Sequence, residues 1–349
     1  MNMRVTLSVD AMGGDNAPDM VVEGIGIALN HLSEVNFLLF GDENILVPLV
    51  SKNPIIKDAC VVKHTPEVIS NHEKAGAALR SGRNSSMRLA INAVSNGEAA
   101  GIVSAGNTGA LMAMAKFVLK TLPGIDRPAI ASYFPTERGQ SLMLDLGANV
   151  ICSSDNLVQF AVMGEVFARN VLGLPQPSVG ILNVGSEQLK GHESVQLAFY
   201  ALQNIDLPIK FHGFIEGDDI GKGTVDVIVT DGFTGNIALK TAEGTAKMFS
   251  TFLKECLLST FTSKIGASLA KPALSKFRQR LDPRRYNGAM FLGLNGICVK
   301  SHGGTDGLGF ANAIDVAVEL IRDGLNDVIK EDLAHLEDEP DNSIERHNE

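Results

Sequence analysis

The chain has 349 residues, of which 45% are hydrophobic, so it can bury a sizeable core in one large α/β domain or in two ordinary ones. A formal net charge of −10 disfavours general nucleic-acid binding, and its four cysteines (Cys60, Cys152, Cys256, Cys298) form no CxxC pair that would indicate a zinc knuckle. No signal-peptide pattern opens the chain, and no apolar run reaches the roughly 18 residues of a membrane span. We therefore expect a soluble, cytoplasmic protein.

Short β-rich runs alternate with amphipathic stretches along the chain. The predicted strands are Arg4 to Val9, Asn36 to Phe40, Cys60 to Val62, Gly101 to Ser104, Ser141 to Leu144, Val179 to Asn183 and Val225 to Thr230. Most are runs of Val, Ile and Leu, as in parallel strands that are buried on both faces. Residues Pro18 to His31 and Asp155 to Val171 have the start and stop signals of helices. The alternation predicts an α/β fold with helices on both faces of a mostly parallel sheet, in one domain over residues 1–330.

Residues 246–285 are predicted to be an insertion that protrudes as a basic amphipathic helical hairpin. From Lys247 to Arg285 there are nine basic residues and two acidic ones, and apolar residues recur at helical spacing. The hairpin either packs in a dimer with a solvated basic face or lies on a membrane surface. The side chains expected to contact a membrane or a partner are Phe252, Leu253, Leu257, Phe261, Lys264 and Lys271. Residues 331–349 are acidic and are expected to form a frayed tail.

Glycine-rich turns follow several predicted strands. They read Asp10-Ala-Met-Gly-Gly-Asp15, Ser104-Ala-Gly-Asn-Thr-Gly109, Asp145-Leu-Gly-Ala-Asn149, Asn183-Val-Gly185 with Lys190-Gly191, Asp231-Gly-Phe-Thr-Gly-Asn236, and His302-Gly-Gly304. In a parallel sheet such turns gather at the carboxyl ends of the strands, where backbone N–H groups bind anions. One such turn often serves only tight chain geometry, but several polar ones together predict a phosphate-like site.

Other common sites have no matching motif in the sequence. It lacks Gly-x-x-x-x-Gly-Lys-Ser/Thr and has no Gly-x-Gly-x-x-Gly after the first strand, which makes ATP and NAD less favoured. It also lacks a Gly-x-Ser-x-Gly elbow and a cysteine–histidine signature, so a covalent intermediate on the protein is not indicated. The histidines have no metal-ligand spacing, and no metal site is predicted.

The turns closely resemble those of the PlsX family, the bacterial acyl-ACP:phosphate acyltransferases that make fatty acyl phosphate. The matching residues are Asp10 to Asp15 with Pro18, Ser85-Ser86-Met87, Val103 to Met112, Leu144 to Asn149, Leu182 to Gly185 with Glu187 and Lys190-Gly191, Asp231 to Asn236, and Lys300 to Gly304. The resemblance implies a three-layer α/β/α fold similar to isocitrate dehydrogenase and phosphate acetyltransferase. It also implies a homodimer, no cofactor, and transfer of the product to a membrane glycerol-3-phosphate acyltransferase.

Phosphate that attacks a thioester needs an anion site and a group that stabilises the tetrahedral oxyanion. Lys190 is the first candidate for binding phosphate or neutralising the oxyanion, and Asn236 for donating to the thioester oxygen; alternatively they are a solvated loop lysine and a helix N-cap. The residues expected to line the phosphate and substrate site are Asp10, Gly13, Gly14, Asp15, Ser104, Gly106, Asn107, Thr108, Asn149 and His302. Asp10 or Asp15 alternatively only fastens loops through backbone N–H groups.

These residues and the resemblance predict an enzyme that moves a long-chain fatty acyl group from acyl carrier protein to inorganic phosphate. It would work at the inner face of the membrane. The alternatives are a phosphate acetyltransferase-like enzyme that uses acyl-CoA, and a non-catalytic regulator recruited to the membrane. The basic hairpin favours a lipid-related acyl donor over acetyl-CoA, although its basic face could also dock the acidic carrier protein instead of lipid.

Overall fold

The computed structural model describes residues 4–32, 34–205, 209–280 and 282–337. Within these ranges eleven strands form a single sheet. In chain order they are β1 (Val5–Asp10), β2 (Val35–Gly41), β3 (Cys60–His64), β4 (Gly101–Ser104), β5 (Ala129–Thr136), β6 (Gly139–Leu144), β7 (Ser178–Leu182), β8 (Lys210–Ile215), β9 (Val227–Val229), β10 (Ala289–Leu292) and β11 (Ile297–Lys300). Their order across the sheet is β3-β2-β1-β4-β11-β10-β5-β6-β9-β7-β8.

Helices cover both faces of this sheet. They are α1 (Asp19–Leu29), α2 (Glu43–Val50), α3 (Pro54–Ala59), α4 (Ala75–Ser81), α5 (Ser86–Ser95), α6 (Thr108–Leu119), α7 (Ser154–Asn170), α8 (Glu193–Asn204), α9 (Gly217–Lys222), α10 (Gly232–Leu258), α11 (Phe261–Leu269), α12 (Lys271–Arg280), a 3₁₀ turn (Pro283–Tyr286), α13 (Gly307–Arg322) and α14 (Leu325–Glu337). One apolar core includes α1, α7 and α13, with Phe160, Phe167 and Phe310 fully buried. A second core lies under α5 and α6 and includes Met87, Leu111 and Ile102.

The sheet reverses direction in its middle. Strands β1, β2, β3, β4 and β11 are parallel to one another, and so are β6, β9, β7 and β8. Between these groups, β11–β10, β10–β5 and β5–β6 are antiparallel pairs. Three reversals leave the two groups pointing in opposite directions. The strand carboxyl ends of the two groups therefore face opposite directions. Pairing across β11, β10 and β5 places Val103 and Leu144 in the same row of the sheet, so the two sets of ends are offset by only a few residues along the strands. We call them the Asp10 end and the Asp145 end after the residues that close β1 and follow β6.

The mostly parallel α/β fold with helices on both faces is confirmed, and all seven predicted strands and both predicted helices are present. The prediction that the glycine-rich turns share one edge was wrong, because it assumed that every strand runs the same way. Strands β5, β8, β10 and β11 were not predicted. The antiparallel β5–β6 hairpin, which turns at Glu137-Arg138, and the β10–β11 pair cause the reversal.

The predicted two-helix hairpin is three helices. It consists of the distal part of α10 followed by α11 and α12, and we call residues 246–280 the helical arm. The predicted contact residues Phe252, Leu253, Phe261, Lys264 and Lys271 are exposed, and Leu257 is half-buried. Within the described ranges no helix combines the length and the apolar character needed to span a membrane. Helix α14 continues to Glu337, past the predicted boundary at residue 331, and residues 338–349 of the predicted tail lie outside the described ranges. The domain limits stay predictions.

Candidate active site

The Asp10 end is built around a buried carboxyl group. Asp10 is 1% exposed, and the hydroxyls of Ser86 and Ser104 donate hydrogen bonds to its two oxygens at 2.6 and 2.7 Å. The Ser104 hydroxyl also accepts the backbone N–H of Gly106 at 3.1 Å. Burial raises the pKa of Asp10, while the serine hydroxyls and the nearby Lys300 act in the opposite direction. Asp10 thus fastens β1 to α5 and to the turn after β4.

Three glycines let the turns after β1 and β4 approach each other and the neighbouring side chains. A Cβ on Gly13 would lie 2.4 Å from Oδ2 of Asp10 and 2.8 Å from the backbone nitrogen of Gly106. Gly14 has φ +112°, a conformation that other residues rarely adopt. A Cβ on Gly106 would lie 2.8 Å from Cε of Met87. These three predicted site residues therefore have a packing role.

Lys300 is a buried cation that was not selected from the sequence. It ends β11 in register with Ser104, is 8% exposed, and donates from Nζ to the carbonyl of Ala105 at 3.2 Å and to that of Ser301. Burial lowers the pKa of Lys300 to about 8; the charges of Asp10 and Asp15 oppose this, and the ammonium of Lys240 lowers it further. A lysine at the end of an apolar strand, just before a glycine-rich turn, is the signal that could have identified it.

Two further predicted residues lie exposed beside Lys300. Asp15 accepts a hydrogen bond from the side-chain amide of Asn71 at 2.8 Å, and its backbone N–H donates to the carbonyl of Gly303 at 2.8 Å. The backbone N–H of His302 donates to the side-chain oxygen of Asn287, and its Nδ1 accepts the N–H of Gly304 at 3.2 Å. The turn after β11 is thus held against the turn after β1, with the His302 ring at the surface.

The amino terminus of α6 also lies at the Asp10 end. The side-chain oxygen of Asn107 caps the helix by accepting the N–H of Ala110 at 3.1 Å, and its amide donates to three carbonyls of residues 70–73. Asn107 is therefore fully used in structure. The backbone N–H groups of Thr108 and Gly109 have no acceptor among the described residues, so they are available to a ligand.

The Asp145 end is organised around a second buried carboxyl group, which was not selected from the sequence. Among the described residues, Asp145 accepts five hydrogen bonds: from the backbone N–H groups of Ile130, Gly147, Ala148 and Asn149, and from the Asn149 amide, at 2.6 to 3.2 Å. The Asn149 amide also donates to the carbonyl of Pro128 at 2.8 Å. Burial raises the pKa of Asp145 against the effect of these bonds. Asn149 thus has a structural role here.

Helix α10 begins at the Asp145 end. Asp231 caps it by accepting the N–H of Thr234 at 2.8 Å, and a Cβ on Gly235 would lie 2.0 Å from the carbonyl oxygen of Asp145. Only glycine allows this contact. Asn236 follows in the second turn, so it is not the N-cap, and no described residue forms a hydrogen bond with its side-chain amide. The amide is free to donate to a ligand.

A cavity of about 930 Å³ lies between α4 and α6 on one side and the turn after β6 and α10 on the other. It is lined by Ala75, Leu79, Thr108, Gly109, Met112, Ala113, Lys116, Phe117, Ile130, Leu146, Gly147, Ala148 and Asn236. The α6 residues recur at helical spacing from Thr108 to Phe117, so the cavity runs along α6 for about 14 Å. Only three of the lining side chains are polar: Thr108, Lys116 and Asn236. We call it the α6–α10 cavity.

The structure thus brings Thr108 and Asn236 together around the cavity. Lys190 lies on the exposed loop after β7, at the Asp145 end, where its backbone accepts a hydrogen bond from the Asn183 amide. Among the described residues no carboxylate forms an ion pair with its ammonium, and Lys190 does not line the cavity. The predicted site residues therefore fall into two groups, one at the Asp10 end and one at the Asp145 end, and the cavity lies between α6 and α10, which begin at these two ends.

Comparisons with known proteins place the chain among close relatives. Residues 5–328 match the model of a family described as "fatty acid synthesis protein". The chain is 62% identical over 336 residues to a phosphate acyltransferase of Paramagnetospirillum magneticum, covering 96% of each protein. It is 58% identical over 337 residues to a phosphate acyltransferase of Rhodospirillum rubrum, covering 97% of each.

Solved structures share the fold at low sequence identity. A phosphotransacetylase from Streptococcus pyogenes superposes with a TM-score of 0.62 at 15% identity, over 91% of this chain and 94% of that one. A branched-chain phosphotransacylase from Enterococcus faecalis gives a TM-score of 0.58 at 14% identity, over 91% and 99% of the two chains. The phosphotransacetylase-like fold that was predicted is therefore confirmed.

Proposed function

The chain belongs to the PlsX family of fatty acid synthesis proteins and is an acyltransferase, and from this premise we propose that it transfers a long-chain fatty acyl group from acyl carrier protein to inorganic phosphate. The observation that carries the proposal is the α6–α10 cavity. Its apolar lining and its length along α6 suit an alkyl chain, and the free amide of Asn236 and the amino terminus of α6 suit the polar end. An acetyl group would leave most of it empty.

The reaction is a direct displacement at the thioester carbonyl. An oxygen of hydrogen phosphate forms a bond to the carbonyl carbon, and the carbon–sulfur bond breaks with its electron pair on sulfur. The thiolate takes up the proton that hydrogen phosphate loses, so the products are acyl phosphate and the carrier thiol. The free amide of Asn236 donates to the oxyanion that forms in the transition state, and Lys190 balances its charge. No covalent intermediate on the protein is needed.

A cationic rim supports a carrier protein as acyl donor. The Arg88 guanidinium lies 5.3 Å from the centre of the Phe117 ring at one end of the cavity, and Arg83 is close enough to lower the pKa of Arg88, after the larger effect of burial. Lys116 lines the same end. Among the described residues no carboxylate forms an ion pair with these three cations. On a chain of net charge −10, an unpaired cationic rim complements an acidic carrier.

The helical arm supports a place at the membrane. Its exposed apolar side chains, such as Phe252 at 55% and Phe261 at 79%, alternate with exposed lysines. Each lysine or arginine near an anionic leaflet contributes about 1 kcal/mol, which makes reversible binding possible without an anchor. We propose that the arm holds the enzyme at the inner face of the membrane, where a glycerol-3-phosphate acyltransferase consumes the acyl phosphate. We also propose a homodimer, which the exposed Phe233 and Ile237 on α10 support.

Turnover by purified protein with labelled phosphate and palmitoyl-carrier thioester tests the acyl transfer. We expect acyl phosphate, with no acylated protein before phosphate is added. Ala113→Phe, which places a ring in the cavity, should slow the palmitoyl donor more than a short-chain donor. Preference for acetyl-CoA would instead show a phosphate acetyltransferase, and binding without turnover would show a regulator. An acyl group on any cysteine or serine before phosphate addition would contradict direct displacement.

A further inference from the structure

Helix α10 runs from the Asp145 end past the α6–α10 cavity. It starts beside Asp145, passes the cavity at Asn236 and reaches Lys240 one helical turn later. Residues four apart lie on the same face of a helix, so Lys240 follows Asn236 on the face that passes the cavity. The charge of Lys240 also acts on the buried Lys300 of the Asp10 end. Lys240 therefore continues, beyond Asn236, the face of α10 that passes the cavity, within electrostatic range of Lys300.

The surroundings of Lys240 favour an anion. The buried Lys300 lies within electrostatic range of Lys240. The two carboxyl groups near Lys300 are already hydrogen-bonded, Asp10 to two serine hydroxyls and Asp15 to the Asn71 amide. The free N–H groups of Thr108 and Gly109 line the cavity at the same end. The one ion pair that Lys240 makes among the described residues is with Glu243, at 2.7 Å and exposed. Such a surface pair contributes only about 0 to 1 kcal/mol, so Lys240 can exchange it for a ligand.

We propose that Lys240 binds the phosphate nucleophile, holding it between α10 and the amino terminus of α6, next to the carbonyl that Asn236 contacts. The proposal rests on the proposed function for the identity of the anion. It separates the roles of the two lysines: Lys240 positions phosphate from the Asp10 end, and Lys190 serves the oxyanion from the Asp145 end. An ammonium and two backbone N–H groups can donate hydrogen bonds to the oxygens of a phosphate dianion. The apolar part of the cavity offers no such donors.

The kinetic test compares Lys240→Gln with Glu243→Gln at saturating acyl donor. Lys240→Gln should raise the KM for phosphate about tenfold to a hundredfold, the size of one lost charged hydrogen bond, and leave the KM for the donor unchanged. Glu243→Gln removes the same ion pair but keeps the ammonium, so its phosphate KM should stay within twofold of the parent. Lys240→Arg should recover part of the loss. A parent-like phosphate KM in Lys240→Gln, or an equal rise in Glu243→Gln, would overturn the proposal.

A binding measurement separates this inference from the proposed function. Equilibrium dialysis with labelled inorganic phosphate at fixed ionic strength needs no turnover. If the parent binds phosphate more tightly than Lys240→Gln yet makes no acyl phosphate, Lys240 is confirmed as an anion ligand and the proposed reaction is wrong. If acyl phosphate forms but both proteins bind phosphate equally, the assignment of Lys240 is wrong. Absence of phosphate binding to the parent also overturns it. Because Lys240 is exposed, both variants should fold, which thermal unfolding checks.

Discussion

The two ends of the sheet each depend on a buried aspartate, but the two carboxyl groups are satisfied differently. Asp145 accepts five hydrogen bonds, four of them from backbone N–H groups that cannot turn away or change charge. Asp10 accepts two hydroxyl groups, which can rotate, and only one backbone N–H, from Met12; it also lies near a lysine, which can lose a proton. The comparison indicates that the Asp145 end is a fixed support for α10, whereas the Asp10 end can adjust its hydrogen bonds and charge to an anionic ligand.

Replacing each aspartate by alanine tests this difference directly and should have the largest effect. Asp145→Ala leaves four backbone N–H groups without an acceptor, and we expect it to lower the free energy of unfolding by about 3 to 5 kcal/mol. Asp10→Ala should cost less, about 1 to 3 kcal/mol, because the Ser86 and Ser104 hydroxyls can rotate to other acceptors. Urea unfolding of both variants measures the difference. Equal losses would show that the two carboxyl groups have the same structural role.

Two asparagines at the Asp145 end are expected to have different roles, Asn149 in stability and Asn236 in the reaction. Asn236→Ala should reduce turnover by about 10² to 10³ and change the free energy of unfolding by less than about 0.5 kcal/mol, because its amide has no described partner in the folded chain. Asn149→Ala, the matched control, should lose about 1 to 3 kcal/mol of stability, since its amide donates to Asp145 and Pro128. Parent-like turnover in Asn236→Ala would exclude the oxyanion role.

The lowered pKa of Lys300 predicts that the Asp10 end, unlike the Asp145 end, contributes to stability in a pH-dependent way. Its pKa is about 8 in the folded protein, against an ordinary value of 10.5, so between these values the unfolded chain binds the proton more tightly. The contribution of Lys300 to stability therefore rises with pH across this window, by about 1 kcal/mol per pH unit at most. The free energy of unfolding of the parent minus that of Lys300→Met should increase from pH 8 to pH 9.5. Thiols that do not interact with Lys300 titrate alike in both proteins and cancel, and Cys298, which does interact with it, is replaced by Ala in both. A constant difference would contradict the shifted pKa.

The pattern of apolar residues along the sequence was sufficient to predict most of the fold. Runs such as residues 36–40 and 101–104 are buried parallel strands, as their short length and apolar composition predicted. Strand direction, by contrast, depends on pairing between distant segments. Nothing local in Ala289–Leu292 indicates that it pairs antiparallel with β5, so the opposite directions of the two strand groups could not be predicted.

Only part of the candidate site could be predicted, for a related reason. The motifs contained Asn236 and Thr108, which line the cavity, but also Asn107 and Asn149, whose amides are used by neighbouring backbone groups. A sequence shows that an amide is present but not whether a carbonyl from another segment already accepts its hydrogen bonds. Lys300 was missed because its burial depends on turns that precede it by about 200 residues, such as Ala105.

The position of β10 and β11 has a consequence for how the chain folds as it is synthesised. Strand β4, at residues 101–104, has as its neighbour β11, at residues 297–300, and β10 must separate β11 from β5. The first 144 residues thus contain two pieces of sheet, β1 to β4 and the β5–β6 hairpin, that cannot join until some 300 residues have left the ribosome. Pairings of such long sequence separation form slowly, and until then the facing sides of β4 and β5 are open strand edges. Chaperone protection should therefore matter most while residues 141–300 are being made.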